Sequence, residues 1–199
     1  MRPARGAASR IGRAFTPAED RVVEDAVRFI LDRARLEELE FAIEVGEHLF
    51  VKLFRSDLDL YRSNDPHKAV AMTRIARDPR VGMNDRALHD CVHTYLLVRR
   101  WGRSRPGLPA PRVDPESWSR MWDLLEEDDE VFFRVLAWVA REKVSHQGVS
   151  AVVQTVGPYV EAGGKVGDIL VEPPRGGYRP HDSKVMRLLG VERKWLVAG

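Results

Sequence analysis

The sequence predicts a mainly helical protein. Apolar residues recur at intervals of three and four along much of the chain, and strand candidates are too few to build a sheet-based core. A proline-rich stretch divides the helical segments into two halves. We therefore expect a basic, flexible arm over residues 1–15, a helical domain with a helix-turn-helix-like unit over 16–101, a Pro/Arg-rich linker over 102–115, and a second helical region over 116–199 that ends in a Gly/Pro-rich tail.

Length and composition set the limits of this prediction. A chain of 199 residues with 44% hydrophobic content can bury a substantial core. The single cysteine, Cys91, has no partner for a disulfide within the chain, which favours a reducing compartment. The longest uncharged apolar-rich run is shorter than the ~20 residues that a membrane-spanning helix needs. We therefore expect a cytoplasmic protein that does not enter a membrane.

The first helix begins with a clear start signal. Thr16, Pro17 and Glu19 form the pattern of a capping box with proline at the first helical position. An apolar face follows and continues far beyond the usual helix length, but its direction drifts. We therefore predict two helices, with a break between Arg35 and Glu40.

The segment from Lys68 to Trp101 has the outline of a helix-turn-helix, preceded by a polar connection over residues 56–68. Ala76 supplies the small residue in the first helix, Gly82 the turn and Asn84 the cap of the second helix. The turn is about two residues longer than the tight form. Helical spacing predicts that the second helix buries Leu88, Cys91, Val92 and Tyr95. Two core helices joined by a loop are the alternative interpretation of this pattern.

The opposite face of the second helix carries the candidate binding residues. Its predicted outward positions are Asp85, Arg86, His89, Asp90, His93, Thr94 and Arg100. Among them, Arg86, His89 and His93 are the predicted groove contacts of a recognition helix. Arg99, Arg100, Arg103 and Arg105 are the predicted phosphate contacts, because no acidic residue interrupts residues 99–112. Asp85 and Asp90 oppose this interpretation, since carboxylates repel the DNA backbone.

The second half is strongly apolar. Trp118 and Trp122 lie at helical spacing, and the segment from Leu136 to Val156 forms a second, weaker helix-turn-helix pattern with Ser145 as its cap. A simple helical hairpin is the alternative. A short strand over residues 168–172 and a final short helix over 183–189 complete the prediction.

Charge and motifs give little support to catalysis. The net charge is +2, which is too small to indicate a nucleic-acid-binding protein from composition alone. His89 and His93 are four residues apart, as two imidazoles on one metal would be, but the HExxH pattern of zinc proteases is absent. We therefore assign no metal, no cofactor and no enzymatic activity.

A family resemblance rests on two segments. Gly46-Glu47-His48-Leu49, then a polar loop, then Gly82-Met83-Asn84 with Leu88, Val92 and Tyr95, resembles the N-terminal helical region of the bacterial DUF1016 or YhcG-like proteins. The resemblance covers about a third of the chain and lacks that family's nuclease domain. It implies a winged-helix-like fold and association with DNA, and it implies no catalysis.

These patterns together predict a bacterial DNA-binding or DNA-associated protein that uses the helix-turn-helix-like unit, either as a monomer or as a dimer. The alternative is a helical adaptor or assembly protein, whose apolar helix faces contact a protein partner or a second copy of the chain.

Overall fold

Helices make up most of the described chain. The computed structural model describes residues 15–34, 36–63, 65–142, 144, 146–161, 163, 165 and 166, and these contain helices and loops but no strand. The prediction of a mainly helical protein is confirmed. The predicted strand over 168–172, the final helix over 183–189 and the basic arm up to residue 14 lie outside the described residues.

The first two helices follow the sequence signals closely. Helix α1 spans Pro17–Arg33, and Thr16 caps it with the predicted capping box: its hydroxyl accepts from the Glu19 N–H while its own N–H donates to the Glu19 carboxylate at 2.7 Å. Helix α2 spans Glu38–Phe54, so the predicted break in the apolar segment is confirmed.

The polar connection that we expected over 56–68 contains more structure than predicted. Helix α3, Leu58–Arg62, forms within it because the Asp57 carboxylate accepts from the Leu60 N–H at 2.9 Å and caps the turn. Helix α4 spans Pro66–Arg77 and helix α5 spans Asp85–Ser104. The predicted pair of helices joined by a loop is therefore present.

The second half is also helical. Helix α6 spans Pro115–Arg120, a 3-10 helix follows at Trp122–Glu126, and helices α7 and α8 span Asp129–Glu142 and His146–Glu161. The valine-rich run from Val149 to Val160 is helical rather than extended, and it contributes the buried face of α8.

Helix α5 joins two hydrophobic cores. The first core lies between α1, α2, α4 and the N-terminal part of α5, where Leu88 and Val92 are fully buried. The second lies between α6, the 3-10 helix, α7 and α8, and Leu97 of α5 belongs to it. The linker packs on the second core through Val113. Helix α5 therefore contributes residues to both cores and connects the two halves.

Among the described residues, none of the helices combines the length and the apolar character needed to cross a bilayer.

Candidate functional site

The start of α5 has the local geometry that the helix-turn-helix pattern predicts. Gly82 adopts a φ of 66°, and the Asn84 side chain accepts from the Ala87 N–H at 2.8 Å, which caps the helix. Met72 and Ile75 of α4 and Leu88 of α5 are fully buried in the first core. The unit is thus held by its apolar faces, as in the sequence-based interpretation.

The outward face of α5 is not a free surface along its whole length. Helix α6 and the 3-10 helix pack across its middle, and Thr94, which we predicted to point outward, is fully buried. The Thr94 hydroxyl lies 3.1 Å from the carbonyl oxygen of Pro115, at the start of α6. The prediction was wrong for Thr94 because the second half of the chain covers this position.

His93 lies under the second half. Its ring stacks on Trp122 with centroids 4.1 Å apart and an interplanar angle of 14°, and its Nδ1 is 3.1 Å from the Ser119 hydroxyl. Burial, followed by the charge of neighbouring His89, lowers the pKa of His93 to about 3. His93 is therefore neutral near pH 7, and it is placed against protein groups rather than toward a groove of DNA.

His89 is partly covered as well. The Tyr61 hydroxyl lies 2.9 Å from His89 Nδ1, and the Asp85 carboxylate is 4.0 Å from Nε2. Burial is the main cause that lowers the pKa of the His89 imidazole. Of the three predicted groove contacts, Arg86 alone is mainly exposed, with 62% of its side chain accessible.

Arg100 stabilises the junction between the halves. Its guanidinium donates to the carbonyl oxygens of Leu124 and Glu127, at the end of the 3-10 helix, and to the Asp129 carboxylate at 3.0 Å. Only 13% of the side chain is exposed. Since these donors are already used inside the protein, the predicted phosphate contact at Arg100 is replaced by a structural role.

The other predicted phosphate contacts are exposed. Four exposed arginines lie at the end of α5 and in the linker that follows it: Arg99, Arg103, Arg105 and Arg112. We call these four residues the basic end of α5. Arg99 lies 6.0 Å from the Tyr95 ring and Arg105 lies 4.7 Å from the Phe133 ring, which orients both guanidiniums. The basic end is separated from Arg86 by most of the length of α5.

The N-terminal half of α5 instead forms one wall of a recess of about 500 Å³. Its lining residues are Asp85, Arg86, His89, Asp90 and His93 of α5, Ser119 and Arg120 of α6, Trp122 and Asp123 of the 3-10 helix, and Ser150, Val153 and Gln154 of α8. Sequence reasoning missed this cavity. Asp90 and His93 share a helix face at a spacing of three, which was a signal, but nothing local indicated that Ser119 would join them.

The second, weaker helix-turn-helix pattern forms a helical hairpin over α7 and α8, and its predicted cap Ser145 lies outside the described residues. His146 lies between two carboxylates, 3.0 Å from Asp114 through Nε2 and 2.9 Å from Glu116 through Nδ1. The start of α8 is therefore held against the start of α6 by His146.

Two properties of the described residues bear on metal binding and on nucleophilic chemistry. The described residues include no group of three or more histidine, cysteine, aspartate or glutamate side chains placed to hold a metal ion. Burial raises the pKa of the Cys91 thiol to about 12, so the thiolate that a nucleophile needs does not form near pH 7.

Comparison of the chain with protein-family models, with curated proteins and with solved structures finds no match. The resemblance to the DUF1016 or YhcG-like region therefore stays a prediction from the residues quoted above.

Proposed function

We propose that the protein associates with duplex DNA and that the basic end of α5 contacts the phosphate backbone. The observation that carries this proposal is the exposure of four guanidiniums within residues 99–112, a stretch that contains no acidic residue. Guanidinium groups bind phosphate oxygens in bidentate geometry and remain charged at every physiological pH.

The way in which the basic end is held supports this proposal. Arg100 ties the C-terminal end of α5 to the second core, and the Trp101 indole donates to the carbonyl oxygen of Leu108 at 3.2 Å, which fixes the linker beside the helix. A surface that is already ordered loses less conformational entropy on binding than a flexible tail does. The arginines thus have a preformed backbone from which to reach phosphates.

The geometry also limits how far the protein could recognise the base sequence of DNA. His93 and His89 are engaged with Ser119 and Tyr61, so the proposal does not assign them base contacts. Phosphate contacts position a protein on DNA but carry no sequence information. We therefore expect binding that is largely independent of sequence, with Arg86 as the one exposed candidate among the predicted base contacts.

Salt dependence provides the sharpest test. Three or four phosphate contacts predict that the logarithm of the binding constant falls with the logarithm of salt concentration with a slope of roughly −3 to −4. Fluorescence anisotropy with a labelled random-sequence duplex across a salt series measures this slope. Absence of binding at low salt, or binding without salt dependence, would contradict the proposal.

Charge-reversal variants localise the contact. The double variant Arg103→Glu/Arg112→Glu alters two exposed side chains and should weaken binding at least ten-fold and reduce the slope by about two. The matched control Arg21→Glu/Arg28→Glu makes the same change in net charge on α1, where both side chains are also exposed. An equal loss in both variants would show that net charge, and not the basic end, governs binding.

The alternative of a helical adaptor stays a prediction. The large exposed apolar side chains among the described residues are Leu31, Val51, Val70 and Leu108, at 38–57% exposure, and they lie on α1, α2, α4 and the linker. Singly exposed apolar residues are common on protein surfaces, so this arrangement does not favour a protein interface over the DNA proposal. Size-exclusion light scattering measures the oligomeric state directly.

A further inference from the structure

The recess beside α5 has properties that the DNA proposal does not use. It lies between the N-terminal half of α5, α6, the 3-10 helix and α8, and its volume of about 500 Å³ falls in the range of small-molecule sites. Its lining includes a chain of hydrogen-bonded polar groups, and the donors and acceptors in this chain determine where the protons lie.

Asp90, Ser119 and His93 form a hydrogen-bonded chain in the wall of the recess. The Ser119 hydroxyl lies 2.5 Å from Asp90 Oδ1 and 3.1 Å from His93 Nδ1. A carboxylate only accepts hydrogen bonds, so the single hydroxyl proton of Ser119 is donated to Asp90. The hydroxyl oxygen must then accept from a protonated Nδ1 of His93. This relay leaves the other ring nitrogen of His93, Nε2, unprotonated.

The Nε2 nitrogen of His93 is available to a ligand. No described residue donates a hydrogen bond to His93 Nε2, and this atom is not one of the buried polar atoms that lack a hydrogen-bond partner. His93 lines the recess, and the stack on Trp122 fixes its ring plane. The recess therefore contains a fixed hydrogen-bond acceptor. The low pKa of His93, about 3, keeps this nitrogen an acceptor throughout the physiological range.

Negative charge exceeds positive charge in the lining of the recess. The carboxylates of Asp85, Asp90 and Asp123 outnumber the guanidiniums of Arg86 and Arg120 in the lining. Arg120 is further neutralised by Glu116, whose carboxylate accepts from it at 2.8 Å. Arg86 approaches Asp90 Oδ2 only to 4.0 Å, so that oxygen retains capacity to accept from a ligand. The acceptors in the recess thus carry net negative charge.

From these three observations we infer that the recess binds a small organic cation that donates N–H groups, of the alkylammonium or guanidinium class. Its N–H groups donate to His93 Nε2 and Asp90 Oδ2, and the flanking carboxylates compensate its charge. This site is separate from the basic end of α5 and does not depend on DNA association.

The test follows the ring nitrogens of His93 by long-range ¹H–¹⁵N NMR on the full chain, with His93→Gln to assign its signals. In the free protein, Nδ1 should resonate as a protonated nitrogen and Nε2 as an unprotonated one. Methylguanidinium chloride and butylammonium chloride should shift the Nε2 signal with saturation, whereas sodium butyrate, an anion of similar size, should not. The opposite tautomer, a shift caused only by butyrate, or no saturable shift with either cation would overturn the proposal.

Variants then separate the site from general charge effects. Asp90→Asn should weaken methylguanidinium binding by roughly ten-fold or more, the loss expected for one charge-assisted hydrogen bond. Asp59→Asn removes the same charge from an exposed position on α3 that does not line the recess, and it should leave the affinity unchanged. Ser119→Ala keeps the Asp90 charge but removes the relay, so it should also weaken binding. Equal affinity in all three variants would exclude the recess as the binding site, and circular dichroism verifies that each variant is folded.

Discussion

Gly46 lies where α2 crosses α5, and its replacement by alanine is the most direct test of this helix pair. A Cβ atom added at Gly46 would lie 2.1 Å from the carbonyl oxygen of Cys91 and 2.9 Å from the Cβ of Tyr95. The first of these contacts is with the α5 backbone, which cannot rotate away as a side chain would. Gly46→Ala therefore requires α2 and α5 to move apart by about 1 Å, because Cβ atoms are essentially never found within 3.0 Å of another atom and ordinary Cβ contacts begin at 3.4 Å.

The expected magnitude follows from two opposing effects. Alanine is favoured over glycine within a helix by ~1 kcal/mol, which would stabilise the protein. Overpacking a core costs ~1–3 kcal/mol and sometimes more, and here the shift disturbs the central contact of the first core. Because the 2.1 Å contact is with backbone that cannot rotate away, the cost should reach or exceed the upper end of that range, and we expect a net loss of about 2 kcal/mol in the free energy of unfolding. For a chain of this size, that loss lowers the melting temperature by roughly 4–8 °C.

Gly102→Ala provides the matched control. Gly102 also lies within a helix, near the end of α5, but no atom lies within 4 Å of a Cβ built there. This variant should gain ~0.5–1 kcal/mol from helix propensity alone. Urea unfolding followed by circular dichroism measures both variants. If Gly46→Ala were as stable as the parent or more stable, the close approach of α2 and α5 described above would be refuted.

Three further predictions concern single side chains. Arg100→Met should lower the free energy of unfolding by ~2–3 kcal/mol, because it removes a guanidinium that donates to two carbonyl oxygens and to Asp129. The control variant Arg103→Met should change the free energy of unfolding by less than ~0.5 kcal/mol. Equal effects of the two variants in urea unfolding would contradict the structural role of Arg100. Because the folded-state pKa of His93 is about 3 and the usual value is 6.5, its contribution to stability is complete above pH 6.5 and is lost as the pH falls toward 3. His93→Gln should therefore reduce the acid sensitivity of the melting temperature in that window, and an unchanged pH profile would refute the burial of a neutral imidazole. Cys91, with its buried thiol and a pKa raised to about 12, should react with a thiol reagent only as fast as the protein opens; rapid labelling of the native protein would show that the α2–α5 contact is loose.

Helix caps and helix boundaries could be predicted well from the sequence. The capping box at Thr16 and the Asn84 cap arise from contacts within three residues, and both are found as predicted. The break between α1 and α2, which the drift of the apolar face indicated, is also found. The middle of α5 could not be predicted in this way. Helical periodicity divides α5 into an apolar and a polar face, but it does not reveal that α6 and the 3-10 helix cover part of the polar face.

The same difference between local and long-range contacts explains which candidate site residues could be predicted. Arg103 and Arg105 remained exposed, as their charge and position after the last apolar turn of α5 indicated. Arg100 has the same side chain one turn earlier, and only the folded chain shows that carbonyl groups 24 and 27 residues away receive its hydrogen bonds. The contacts between Asp90, Ser119 and His93 likewise join residues that are 26 and 29 positions apart in sequence. Such partners depend on how the two cores meet, which no local pattern encodes.

Both proposed sites include residues of α5, and their separation along this helix predicts how they influence each other. His93 and Arg103 are ten residues apart in α5, which corresponds to about 15 Å along the helix axis. The Debye length at physiological ionic strength is about 8 Å, so the charge of a cation in the recess is largely screened at the basic end. We therefore expect saturating methylguanidinium to change the affinity for duplex DNA by less than about two-fold at constant ionic strength, as measured by anisotropy. Sodium chloride at the same ionic strength is the control. A larger change that Asp90→Asn abolishes would require α5 to shift between two packing arrangements when the recess is filled, and it would refute the view of this helix as a rigid connection between independent sites.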